Sequence, residues 1–128
     1  MHWIARLHSA IDHIETHLCE EADLPALARI MHCSTHDLQR VFSYLVEMPI
    51  GEYMQKRRLT LAGAAVQQGE EKIIDIGLAY GYTSHSAFSR SFKAFHGVTP
   101  SQARLDPDFP LEEEELGADT PVSFKWVL

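Results

Sequence analysis

Two stretches of this chain repeat one pattern about 50 residues apart, and that repeat limits the fold more than any other feature. Leu38-Gln39-Arg40-Val41-Phe42 aligns with Phe88-Ser89-Arg90-Ser91-Phe92 at an offset of 50. Leu27-Ala28 aligns with Ile76-Gly77 at 49, and Pro49 with Pro100 at 51. Each copy reads as a short helix with a small residue (Ala28 or Gly77), a turn, and a longer helix with an apolar stripe. The small residue lets the second helix cross close to the first. Two helices joined at a steep angle by a turn of about three or four residues form a helix-turn-helix unit, whose second helix can enter a major groove. One such unit is a weak signal. Two in tandem are a strong one.

Periodicity predicts helices on all sides of the repeat. Ile4, Leu7, Ile11, Ile14 and Leu18 fall 3-4-3-4 apart, one stripe of a helix over about 4–19. Asp23 is placed to cap the next helix and Pro25 to sit at its first helical position. After the turn at His32-Cys33, Ser34 caps a helix whose Leu38, Val41, Phe42 and Leu45 are expected to point inward. Pro49 ends that run, and a long helix follows over roughly 50–68. It carries two apolar rows, Leu59-Ala62-Val66 and Met54-Leu61-Ala65, as a connector packed on two sides would. A short helix from near Lys72 presents Ile73, Ile76 and Tyr80, and Gly81-Tyr82 forms the second turn. Phe88, Phe92 and Phe95 make the next stripe, Gly97 stops it, and Thr99-Pro100 opens a last helix ending near Arg104. No segment before residue 120 alternates like a strand. The predicted fold is all-α with about seven helices: a first helix-turn-helix subdomain over 1–48, a connector helix over 49–69 and a second subdomain over 70–105. Residues 106–128 form an acidic tail, disordered or the start of a further domain.

The formal net charge of −7 argues at face value against a polyanionic partner, but its distribution does not. Residues 1–105 hold ten Lys+Arg against eleven Asp+Glu, whereas 106–128 hold one lysine against seven acids. The stretch 76–105 has Arg90, Lys93 and Arg104 and no acid. Screening over about 8 Å at physiological salt makes such local fields matter more than the total. No window approaches 18 consecutive apolar residues, so a membrane partner is not expected. The start MHWIARLHSA lacks the basic and apolar regions of a secretory signal. Two cysteines without CxxC spacing (Cys19 and Cys33) fit a reducing cytoplasm.

Other residue clusters point less well to chemistry. His13/His17 and His32/His36 have the i,i+4 spacing of helical metal ligands, and read better as polar faces of a His-rich chain. Cys33-Ser34-His36 and Ser84-His85 put nucleophile types beside a base without an orienting carboxylate, so no catalytic role is assigned. Glu112 to Glu115 lie in a loop-like stretch unsuited to acid/base geometry. No metal and no cofactor are expected.

On these residues the chain resembles the DNA-binding domain of the AraC/XylS family of bacterial transcription regulators, over about 8 to 104. The second copy carries most of the likeness: Ile76-Gly77, Gly81-Tyr82, Ser84, Phe88-Ser89-Arg90, Phe92-Lys93, Phe95, Gly97, Thr99-Pro100 and Arg104. Pro49, Tyr53, Arg57-Arg58-Leu59 and Ala62 resemble the family's connector. The resemblance implies seven helices, two recognition helices in successive major-groove segments, action at promoters and RNA polymerase as a partner. Small members consist of little else and act as monomers, while larger ones add a ligand-binding or dimerising domain. Three positions depart from the pattern. Gly77 replaces the usual Ala, His32 stands where Gly is frequent, and Asp37 puts a negative charge on the first recognition helix.

A recognition helix offers its N-terminal, non-core face to bases. That leaves Thr35, His36, Gln39 and Arg40 available in the first copy and His85, Ser86, Ser89 and Arg90 in the second. The family match assigns base contacts to His36, Gln39 and Arg40, and to His85, Ser86, Ser89 and Arg90. Arginine pairs bidentately with guanine and glutamine with adenine. Ser34, Thr35, Thr83 and Ser84, at the helix starts, are the phosphate candidates together with Lys93; capping explains Ser34, Thr83 and Ser84 equally well. Two such helices on one side of a duplex would contact segments about 34 Å apart. The predicted function is a sequence-specific double-stranded DNA-binding transcription regulator, and the resemblance implies an activator acting through RNA polymerase. The competing readings are a helical protein-interaction module without DNA binding and the DNA-binding fragment of a larger ligand-responsive regulator.

Overall fold

The computed structural model describes residues 2–109, so the tail beyond Phe109 lies outside the described residues. Within them the chain is helical throughout. The elements are α1 (Trp3–Thr16), α2 (Leu24–Met31), α3 (Thr35–Val46), α4 (Ile50–Gln68), α5 (Ile73–Ala79), α6 (His85–His96) and α7 (Pro100–Leu105). They fall into two compact units that meet between Gln55 and Lys56, inside α4.

In the first unit, α1, α2 and α3 close around Leu7, Ile14, Leu27, Leu38 and Phe42, each no more than 2% exposed. Ile50, Tyr53 and Met54, from the start of α4, complete this core. Tyr53 meets the Phe42 ring edge-on at 5.7 Å and donates its hydroxyl to Glu15 Oε2 at 3.0 Å, so the buried phenol keeps a polar partner. Helix α1 ends at Thr16, short of the expected residue 19. There Thr16 Oγ1 and His17 Nδ1 both donate to the His13 carbonyl, at 3.0 and 2.7 Å, and satisfy an oxygen the helix leaves orphaned. Two stripe residues need correction. Ile4, in the first turn of α1, is 37% exposed, and Val41 is 40% exposed because the buried row of α3 is Leu38-Phe42-Val46, spaced by four, with Val41 at its edge. Leu45 is half-buried.

The second core joins Leu59, Ala62 and Val66 of α4 to Ile76 of α5, Phe88 and Phe92 of α6, and Ala103 of α7. Ile73, Tyr80 and Phe95 pack against it only in part, so Phe95 is less inward than its stripe suggested. The burial of α4 thus runs on two separate stripes, one for each core. The second stripe is the predicted Leu59 row, while the first is Ile50-Tyr53-Met54 in place of Met54-Leu61-Ala65. Packing in the second unit continues past α7. Phe109 is buried, its ring stacked on Phe92 at 6.2 Å and edge-on to His96 at 5.1 Å. Arg104 donates Nε to the Val66 carbonyl at 3.0 Å and Nη2 to the Glu71 carbonyl at 2.6 Å. A charged donor from α7 therefore serves the last turn of α4, where carbonyls lack helical partners.

Candidate nucleic-acid interface

Each candidate reading helix is aimed by the turn before it, and the two turns share one hydrogen-bond pattern. After α2, His32 N–H donates to Arg29 O at 3.2 Å and Cys33 N–H to Ala28 O at 3.0 Å. After α5, Gly81 N–H donates to Leu78 O at 3.1 Å and Tyr82 N–H to Gly77 O at 2.9 Å. Both are the paired closure that ends a helix on a left-handed residue. His32 (φ 56°) and Gly81 (φ 91°) hold that position. The exits of the reading helices match as well: Glu47 (φ 68°) follows α3 and Gly97 (φ 84°) follows α6. The second copy has glycine at both left-handed sites. The first holds side-chain-bearing residues there, which costs it on the order of 1 kcal/mol each.

The helix starts are also matched. Ser34 Oγ accepts the Asp37 N–H at 3.1 Å, and Ser84 Oγ accepts the Ala87 N–H at 3.1 Å. In each case the serine oxygen caps the helix while its own O–H proton stays available to a phosphate, so the two roles do not compete. Thr35 and Thr83 are exposed beside these caps.

On α3, His36, Gln39 and Arg40 are all exposed, and the i,i+3 and i+4 spacing puts them on one face. On α6, His85, Ser86 and Arg90 are exposed and Ser89 is half-buried, with Ser89 Oγ 3.4 Å from His85 Nε2. Lys93 extends the Arg90 side of the face by one turn and is exposed. Every predicted contact residue lies at a helix start or on the solvent side of a reading helix. None is consumed by a core.

Electrostatically the units differ. Residues 2–55 hold three Lys+Arg against eight Asp+Glu, and residues 56–109 hold seven against five. On α3 the sequence reading missed that Arg40 is engaged: its Nη1 lies 3.6 Å from Asp37 Oδ1. The Asp-x-x-Arg spacing was the available signal. Also missed were Phe109 and the double carbonyl contact of Arg104, neither of which has a local sequence signature.

His13 and His17 stack at 4.3 Å, and no group of three or more His, Cys, Asp or Glu among the described residues is placed to hold a metal ion. Burial pushes the Cys33 thiol up from its usual range and the Asp37 carboxylate adds to the effect, the opposite of what a reactive thiolate needs. Among the described residues no helix is long and apolar enough to cross a membrane.

Two units, each presenting a capped polar helix after the same turn, define a tandem helix-turn-helix protein of the DNA-binding class. The helix-turn-helix domain family matches residues 27–106, and the chain belongs to it, among the AraC/XylS-type transcription regulators. It is 38% identical over 92 residues to the HTH-type transcriptional activator AarP of Providencia stuartii, covering 72% of this chain and 68% of that protein. It is 33% identical over 98 residues to the regulatory protein SoxS of Salmonella typhimurium, covering 77% and 92%. Other relatives are longer, the chain spanning 35% of one and 41% of another. A solved transcriptional regulator of Chromobacterium violaceum, of the AraC-type DNA-binding domain class, superposes with a TM-score of 0.70 at 26% identity, covering 80% of this chain and 95% of that one.

Proposed function

We propose that this chain is a transcription activator that binds promoter DNA as a monomer in the bacterial cytoplasm and acts through RNA polymerase. Its two reading helices each take a major-groove segment, with His36, Gln39 and Arg40 on one set of bases and His85, Ser86, Ser89 and Arg90 on the other. Ser34, Thr35, Thr83, Ser84 and Lys93 hold phosphates. Arg40 and Arg90 suit guanine O6/N7 and Gln39 suits adenine, while the serine and histidine groups suit several edges. The observation that carries the proposal is the doubled arrangement itself: the same turn closure, the same serine cap and an unburied polar face on α3 and α6. The name of AarP as an activator supports the sign of regulation. With its positive balance over the described residues and the exposed cations Arg90 and Lys93, the second unit supplies most of the attraction to phosphate.

Selection from random duplexes, followed by affinity measurements against salt, tests this. Enrichment of one sequence is expected, with log K falling against log salt at a slope of about −0.9 per phosphate neutralised. A chain that enriches no sequence and shows no salt-dependent duplex binding is instead a protein-interaction module. Run-off transcription with purified polymerase tests activation, and sedimentation of the complex tests whether one chain occupies one site.

A further inference from the structure

The first reading helix carries a carboxylate that base and phosphate contacts leave unexplained. Asp37 lies one turn before Arg40 on α3, and Arg40 Nη1 pairs with Asp37 Oδ1 at 3.6 Å. Both side chains are well exposed, 72% for Arg40 and 54% for Asp37, so the pair adds little to stability. A negative charge on a helix that approaches DNA also repels the backbone. The second copy has no counterpart: Ala87 occupies the matching position at an offset of 50. Arg90 has no ion pair among the described residues, nor does Lys93.

We propose that Asp37 is a positioning residue that orients Arg40 for guanine and makes the first unit more selective than adhesive. The proposal rests on the assignment of Arg40 as a base contact. A guanidinium presents five N–H groups in a rigid fork, so engaging one terminal nitrogen with a carboxylate leaves another edge for the two acceptors of guanine. A long, freely rotating arginine loses rotamer freedom when it binds, and a side chain already held by Asp37 loses less. The same tether opposes the competing pose. An unrestrained arginine swings to the nearest phosphate, which carries no sequence information, whereas Arg40 would have to give up Asp37 to do so. Asp37 thereby lowers affinity for DNA in general and raises discrimination at one base pair.

The experiment uses the whole chain and its selected duplex, with every base pair replaced in turn. Binding is measured for the wild type, Asp37→Ala, Asp37→Asn, Arg40→Ala and the Asp37→Ala/Arg40→Ala double variant, and each thermal midpoint is recorded to detect unfolding. Arg40→Ala should lose roughly 5- to 150-fold of discrimination at a single guanine. Asp37→Ala and Asp37→Asn should lose several-fold at that same position, bind unrelated duplexes more tightly, and add no further loss of discrimination once Arg40 is gone. Aspartate variants that keep full discrimination there, or that change affinity for all duplexes alike, overturn the role of Asp37 while leaving Arg40 as a reader. An Arg40→Ala variant without any base-specific effect overturns both.

Discussion

Gly77 and Phe88 touch so closely that a side chain on the first would enter the second. A Cβ built on Gly77 lies 2.9 Å from Phe88 Cγ and Cδ2 and 3.1 Å from Phe88 Cβ, and Phe88 is fully buried. The near end of a core ring cannot yield without moving α6. Replacing glycine by alanine inside a helix usually gains about 1 kcal/mol in propensity, whereas overpacking a core costs about 1–3 kcal/mol. Gly77→Ala is therefore expected to destabilise the chain by on the order of 1 kcal/mol, read as a lower urea midpoint. An unchanged or higher midpoint would show that α6 moves aside at no cost.

His32 holds a left-handed backbone that glycine holds at the matching place, Gly81. Its strain is of the order of 1 kcal/mol. His32→Gly should stabilise the first unit by up to that amount, while Gly81→Ala should destabilise the second. Thermal melts of both variants, compared with the parent, give the two signs.

Arg90 and Lys93 sit one turn apart on α6 and are assigned different duties. Arg90→Ala should cost about 1–3 kcal/mol, concentrated at one base position, because a base contact carries sequence information. Lys93→Ala should weaken all duplexes about equally and reduce the salt slope by about 1. Salt titrations against the selected site and its point variants separate them. The reverse pattern would exchange the roles.

Phe109 belongs to the second core although it lies beyond α7. Truncating a buried phenylalanine typically costs about 3–5 kcal/mol. Phe109→Ala, or ending the chain at Leu105, should lower the unfolding midpoint markedly. Ending it after Phe109 should leave this packing intact. Equal midpoints for the two truncated chains would remove Phe109 from the core.

Arg104 shows where sequence reasoning stopped. Its place in the pattern of α7 was legible only through the family likeness, and its two carbonyl partners, Val66 and Glu71, come from distant segments. Asp37 was visible as a charge out of place, but its pairing with Arg40 depends on rotamers that spacing permits and does not dictate. Val41 departs from the α3 stripe for a related reason: an apolar residue on the edge of a face is turned inward or outward by its neighbours, not by period.

The amino-acid order alone determined the helices, their caps and their duplication, because these depend on interactions within a few residues: apolar spacing, Ser34 and Ser84 at helix starts, Pro100 in a first turn, Gly97 at a stop. It also determined which polar side chains escape the cores of α3 and α6. Tertiary structure alone decided which far-apart groups meet: Phe109 on Phe92, Arg104 on the end of α4, and the ring of Phe88 against the bare backbone of Gly77. Such contacts are selected by the shape and the unmet hydrogen bonds of a surface that exists only after the helices have packed.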